Sequence, residues 1–465
     1  MFHSICNDDI KQMDMDHFIH PYTDFDTFFS TGSQVITASK GVYVWDSEGK
    51  KYLDAIAGLW CVNVGHGREE IAKAVHDQIL QMAYYNPFGP STNEPAARLS
   101  AKLCELAPDN LNHVFFSTGG STANDAAIKL VHYYFNQTGR PSKRIIISRL
   151  DAYHGATYLS GSLTGIEGTK IGFHSQKDCI EHVSAANMYR RPTGMSEADY
   201  CDFLVEEFEQ KILSLGPDNV AAFIAEPVMG AGGVLVAPDG YHGRIYEVCK
   251  KYDLLFISDE VVTAFGRLGE MIASEKVFGI TPDIICVAKG VTSGYIPMGA
   301  TLVSDEIYQA ISSPTIEGSG LSMGYTYSGH PVAAAAALAN IAIMENEKIC
   351  EHVKDIGIYF QSELAKLSGL PMVGDVRGHH LMAAVEFVSD KQSRESFPPE
   401  SKIADRVFQK AREKGVIIRP VGNAIIMSPP LIFSKQDCEE VTRVLSEVIP
   451  QVAEELCQDG YSISD

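Results

Sequence analysis

Two charged residues stand where apolar runs end. Asp259 closes the run in "LLFISDEVVTAFGRLGE", and Lys289, 30 positions later, follows the run in "TPDIICVAKGVTSGYIPMGA". A lysine amine condenses with an aldehyde, and a carboxylate keeps a pyridine nitrogen protonated so that its ring accepts electrons. An opposite charge at hydrogen-bond range favours both ionised forms. An acid and a lysine at two strand ends are what pyridoxal phosphate requires.

The phosphate of such a ligand needs a cradle. "HVFFSTGGSTANDAAIKL", residues 113–130, runs from an apolar stretch through Ser117, Thr118, Gly119, Gly120 and Ser121 into a segment with helical spacing. Loops of this kind hold the phosphates of nucleotides, dinucleotides or pyridoxal phosphate. A nucleoside triphosphate loop needs GxxxxGK[ST], and no lysine follows these glycines at that spacing. A dinucleotide fold needs GxGxxG directly after its first strand, a pattern also missing here. What remains is a turn at a helix N-terminus whose N–H groups and hydroxyls suit one phosphate monoester. By itself the segment also reads as an ordinary N-capped helix; Asp259 and Lys289 favour the phosphate.

These residues must be positioned by a sheet. "HVFF", "RIIIS", "VAAFIAEP", "LLFISDE", "IICVAKG" and "ATLVS" are short β-rich runs, each followed by a helical pattern. Such alternation predicts a mostly parallel sheet covered by helices, with ligands at the carboxyl ends of its strands. Glu226, Asp259 and Lys289 all fall at such ends. "GVYVWDSEGKKYLDAIAGLW" (41–60) alternates as a hairpin. From about residue 331 the chain turns helix-rich, through "PVAAAAALANIAIM" and "IGIYFQSELAKL", with strand-like "LMAAVEFV" and "AIIMS" before a final helix from about 435. We expect an α/β protein in which residues 76–330 form a large ligand-binding domain. Residues 1–75 and 331–465 together form a smaller α+β domain.

Composition narrows the partners. The chain has 465 residues, 45% of them apolar, and a net charge of −21. That charge repels nucleic acid and anionic lipid, so neither is an expected partner. Ten cysteines are scattered without CxxC spacing, which points to reduced thiols in the cytoplasm rather than to zinc or disulfides. The N-terminus lacks the basic-then-apolar order of a signal peptide, and no run is long and apolar enough to span a bilayer.

Several further stretches fall in order along the chain: "AGLWCVNVGHGREE", "NHVFF", "YHGAT", "AAFIAEP", "TSGYIPMGA", "YTYSGHPVAAA" and "VRG". With the loop, Asp259 and Lys289 they resemble class III aminotransferases, pyridoxal-phosphate enzymes of fold type I. The resemblance is nearest to the amine or ω-amino acid:pyruvate branch, which includes polyamine and taurine transaminases. It implies that Lys289 forms the Schiff base and that Asp259 partners the pyridine nitrogen. Tyr153 and Val261 then flank the ring, with Glu226 near the cofactor. Gly120 and Ser121 take the phosphate together with Thr326 of a neighbouring subunit, making the active site a property of a homodimer. Trp60, Phe88 and Tyr22 match aromatic positions on the amine side. Arg419, in "GVIIRPVGNAIIMSPP", matches a mobile arginine that pairs with carboxylates, for which a guanidinium is suited.

The activity so implied moves an amino group from an amine or ω-amino acid to a keto acid, with pyruvate the expected acceptor and pyridoxamine phosphate between the two halves. Aminomutases and decarboxylases of the same fold are the alternative, and the aromatic pocket with Arg419 argues against them. Three positions depart from the family pattern. Thr122 replaces a glutamate in the phosphate loop. Ala264 replaces a glycine, at a cost of roughly 1 kcal/mol or more if that turn needs positive φ. His379 and His380 stand where x-Gly is usual; with no further ligand at suitable spacing, they read as a packed or exposed pair rather than a metal site.

Overall fold

Seven apolar runs pair into one sheet, in the order His113–Ser117, Gly299–Val303, Ile284–Val287, Leu255–Asp259, Val220–Ala225, Ile145–Arg149 and Ile180–Val183. The computed structural model describes residues 6–176 and 178–464. Only Gly299–Val303 runs against its neighbours; the other contacts in this sheet are parallel. Every residue of Val220–Ala225 is buried, as expected for a strand covered by helices on both faces. The six runs read from the sequence are all strands. Ile180–Val183 is a seventh that the pattern does not reveal: it is a four-residue edge strand carrying Glu181 and His182, too short and too polar to stand out.

Register brings the chemistry to one edge. Ala225 lies opposite Ser258, and Asp259 opposite Cys286, so Glu226, Asp259 and Lys289 emerge together at the carboxyl ends of three adjacent strands. Ser117 ends the first strand at that same edge, opposite Gly299. The following helix, Gly120–Gln137, packs on the sheet through Ala123, Ala127 and Val131, all fully buried.

The expected hairpin is present as Tyr43–Asp46 and Lys51–Asp54. Asp46 shapes its turn: one carboxylate oxygen accepts the amides of Glu48 and Lys50, and the other accepts the Tyr52 hydroxyl at 2.7 Å. Val416–Ile417, from far along the chain, adds to this sheet in parallel beside Leu53 and Asp54. A third sheet orders Val373–His379, Met382–Phe387, Ala424–Met427 and Arg419–Val421. The last helix, Lys435–Gln458, starts in a capping box: Ser434 Oγ accepts the Asp437 amide and the Asp437 carboxylate accepts the Ser434 amide.

Arg267 ties these parts together. Its side chain is fully buried, and its guanidinium donates to the carbonyls of Leu381 and Pro429 and to Asn63 Oδ1 at 3.0 Å. Those oxygens come from the turn of the third sheet's hairpin, from the segment after that sheet's last strand and from the N-terminal region, so one side chain fastens segments some 360 positions apart. Among the described residues no carboxylate pairs with it, and burial pulls its pKa down to about 9. Removing the donor leaves three buried acceptors unsatisfied, each worth about 1–3 kcal/mol. Arg267→Met should therefore lower stability by several kcal/mol in denaturant unfolding, and Arg267→Lys should lose most of the same amount, because one ammonium does not reproduce the planar fork.

Candidate active site

The carboxyl edge of the large sheet opens into a cavity of about 380 Å³. Lys289, Asp259, Glu226, Tyr153, Val261, Gly120, Ser121, Trp60, Tyr22 and Arg419 all line it. Asp259 ends its strand with a side chain that is 3% exposed. Its Oδ2 lies 2.7 Å from Asn124 Nδ2 and 2.8 Å from His154 Nδ1, while Oδ1 accepts the Val261 amide at 3.1 Å. Three donors converging on one carboxylate suit a group that only accepts. The adjacent Glu260 serves a different end: its oxygens accept the amides of Ala273 and Ser274.

Lys289 follows the next strand at φ 42°, a left-handed conformation rare for a side chain of this size. Strain of this kind persists only when its surroundings enforce it. Asn340 does so, donating to the carbonyls of Gly290 and Val291 at 2.9 and 3.0 Å. Gly290 leaves no room for more, since a Cβ there would lie 2.4 Å from Asn63 Nδ2. The Lys289 amine makes no hydrogen bond or ion pair among the described residues. Burial lowers its pKa, with Asp259 and then Glu226 pulling the other way.

The helix that starts at Gly120 has the chemistry to hold an anion. The first amides of a helix have no partner within it. A Cβ on Gly120 would lie 2.8 Å from Val261 Cγ1, so the backbone there comes directly against the strand end. Ser121 Oγ accepts the Ala156 amide and keeps its own hydrogen to donate. Thr122 is the third residue of the helix, and its Oγ1 accepts the Gly119 amide at 3.1 Å and the Thr118 amide at 3.2 Å. A glutamate at this position can reach back to the same capping amide. The threonine departure thus keeps the cap while removing a negative charge beside the open amides.

Tyr153 and Glu226 are coupled through the backbone. Glu226 Oε1 accepts the Tyr153 amide at 3.0 Å and Oε2 the Gly230 amide at 2.8 Å, and burial raises the pKa of its carboxyl. Burial likewise raises the Tyr153 phenol, whose oxygen accepts from the Tyr22 hydroxyl at 3.1 Å. Trp60 closes another wall from a tight turn in which Ala57, Gly58 and Trp60 all have positive φ. Asp54 holds that turn, accepting the amides of Ile56 and Gly58 at 3.1 and 2.7 Å. Arg419 begins a short strand, half-buried, with no hydrogen-bond or ion-pair partner among the described residues. Burial lowers its pKa, offset by the phenols of Tyr153 and Tyr22.

A family model described as "Aminotransferase class-III" matches residues 29–449. This chain is a class III aminotransferase. It is 42% identical over 448 residues to a putrescine–pyruvate aminotransferase of Pseudomonas aeruginosa, covering 95% of this chain and 96% of that one. Among solved structures it superposes with a TM-score of 0.94 on an (S)-enantioselective omega-transaminase from Thermomicrobium roseum, at 40% identity, covering 97% of this chain and 100% of the other. A TM-score of 0.94 also relates it to the Pseudomonas jessenii omega-transaminase in complex with PMP, at 38% identity, covering 96% and 99%. The aminotransferase accordingly has the fold-type-I architecture and depends on pyridoxal phosphate.

The cavity of this aminotransferase fits that cofactor. It offers open helix amides against Gly120 where no side chain can stand, a buried acceptor at Asp259, and an unpartnered, buried lysine amine. Two predicted site residues lie elsewhere in the chain. Phe88 is 52% exposed and borders a separate groove with Gly324, and Thr326 is exposed, its carbonyl accepting the Tyr84 hydroxyl at 2.7 Å. Ala264 does not take positive φ; Phe265 and Gly266 do, at 55° and 86°, so the alanine sits there without the expected cost. The Nδ1 atoms of His379 and His380 lie 2.8 Å apart in a half-buried pair at a strand end. No group of three or more metal-ligating side chains gathers among the described residues.

Sequence reasoning missed Asn124, His154 and Asp54. Asn124 stands one turn after Ser121 on the same helix face, a spacing that could have indicated it. His154 follows Tyr153 directly, whereas Asp54 acts through backbone amides and leaves no residue pattern.

Beneath the cavity, His242 is buried and donates from Nε2 to the Pro227 carbonyl at 2.9 Å, next to Glu226. Burial, with Arg149 nearby, lowers its pKa from 6.5 to about 3. Between those values the unfolded chain holds the extra proton, so acid favours unfolding. By about pH 5 this amounts to about 2 kcal/mol. His242→Gln, which has no proton to gain, should show a shallower loss of stability between pH 7 and pH 5 when both proteins are unfolded in urea.

Proposed function

We propose that this aminotransferase moves an amino group from an amine or ω-amino acid to pyruvate. The observation that carries the reading is Arg419, without a hydrogen-bond or ion-pair partner among the described residues, in a mostly apolar wall of the cavity that also holds the buried Lys289, Asp259 and Glu226. That wall receives an apolar or amine-bearing chain, and the guanidinium receives the carboxylate of a keto acid. The relatives named for putrescine–pyruvate transfer and omega-transamination support it.

Pyridoxal phosphate, when bound, supplies an aldehyde and an electron-withdrawing ring that make a carbon–hydrogen bond of the donor acidic. The roles of this chain's residues follow from their chemistry. Gly120 and Ser121 would hold the phosphate through amides and a hydroxyl. Asp259 would accept the hydrogen of the ring nitrogen, and Tyr153 and Val261 would confine the ring. Lys289 would hold the aldehyde, and its Nζ is the base placed to take a proton from the donor carbon, a task that the lowering of its pKa by burial favours. Glu226 acts on Tyr153 through the backbone amide it accepts. Trp60 and Tyr22 line the amine side.

Phe88 and Thr326 lie together on an exposed surface with Tyr85 and Tyr327, more than half exposed. We read that surface as the homodimer contact, delivering Phe88 and Thr326 to a second copy's cavity. Residues 76–330 form the cofactor-binding unit and both chain ends the smaller one. The ten scattered, unbridged cysteines support a cytoplasmic setting. Among the described residues no helix is long and apolar enough to cross a membrane.

Following the cofactor's visible absorbance with one donor at a time tests the substrate class. Putrescine, β-alanine or 1-phenylethylamine should bleach it; reaction with α-amino acids alone would overturn the proposal. Arg419→Ala should lower kcat/KM for pyruvate roughly ten- to a hundred-fold while sparing the bleaching by amines.

A further inference from the structure

His154 follows Tyr153, and its side chain is wholly buried at the cavity wall. Its Nδ1 lies 2.8 Å from Asp259 Oδ2. Since the carboxylate accepts, Nδ1 carries the hydrogen of this pair. Nε2 is buried with no hydrogen-bond partner. An imidazole placed only to fill space could be replaced by an apolar ring without leaving a buried nitrogen unsatisfied. The surroundings instead fix this ring. The His154 amide donates to Thr164 Oγ1 at 3.0 Å, and the His154 carbonyl accepts Asn124 Nδ2 at 2.7 Å. That same Asn124 nitrogen reaches Asp259 Oδ2, so helix, loop and strand end meet at one carboxylate oxygen. Glu226 and His182 are the other titratable groups near the ring.

We propose that His154 is a positioning residue for Asp259. The terminal torsion of an aspartate is broad and offers little intrinsic preference. Two side-chain donors on Oδ2 and a backbone amide on Oδ1 remove that freedom and hold the carboxylate ready for the ring nitrogen of the cofactor. The proposal rests on Asp259 being the ring-nitrogen partner.

Pyridoxamine 5′-phosphate, which has no aldehyde to bind Lys289, reports this hold directly. Its affinity for the apoprotein is measured by calorimetry, beside the visible spectrum of the pyridoxal-phosphate-loaded protein. His154→Phe, with His154→Ala as a smaller replacement, should bind it about ten-fold more weakly and shift the visible band. His154→Asn, which offers an amide donor near the place of Nδ1, should recover most of both. In an Asp259→Ala background, His154→Phe should cost nothing further. Wild-type affinity and spectrum in the Phe and Ala variants would overturn the proposal, as would equal losses in the Asn variant or losses that add to those of Asp259→Ala. Should Asp259→Ala alone bind as wild type, the ring-nitrogen reading fails, and the role of His154 with it.

Discussion

A buried guanidinium without a counter-ion is the constraint on which the arrangement of this molecule turns. Arg267 sits just beyond the strand that ends in Asp259, and its two terminal nitrogens donate to oxygens from the N-terminal region and from two loops of the C-terminal region. Because a charge in an apolar interior is tolerated only when hydrogen-bonded, the three segments that supply those oxygens are held in place by the need to solvate it. They lead to Trp60 on one side and to Arg419 on the other. The walls of the cavity are therefore fixed relative to its floor by a residue that lines neither.

The floor is costly in its own way. Asp259, Glu226 and Lys289 are brought to one sheet edge by strand register, where each would prefer water. Backbone amides, Asn124 and His154 replace that water for the acids, whereas the lysine amine has no partner among the described residues. Lys289 and Trp60 also sit at positive φ. Strain and desolvation thus concentrate around the space where a ligand binds, which is the pattern expected when a site is organised before its ligand arrives.

Much of this was legible in the chain because parallel strands announce themselves. Six apolar runs ending in small or charged residues specify six of the seven strands, and a charge at a strand's carboxyl end points to the cavity. Polar groups acting through space were not legible. Arg267 looks like any arginine after a glycine, and His154 gains its place only when the loop folds onto Asp259. Nor does sequence show which of two adjacent acids faces inward: Asp259 and Glu260 differ by one position, and the pleat sends them to different tasks. The departures at Thr122 and Ala264 became intelligible only through conformation, the first as a helix cap and the second as a residue beside, not at, the left-handed turn. Phe88 and Thr326 lie outside the cavity of their own chain, a placement that periodicity does not encode.

Val261 and Gly120 touch so closely that neither can be considered alone. The strand end's methyl groups occupy the volume that a side chain on the first residue of the helix would need. The two positions share one allotment of space, so their permitted residues are correlated in any lineage descended from this chain. A library that randomises one while holding the other constant will record intolerance at both, and only paired variation will reveal which combinations the fold accepts.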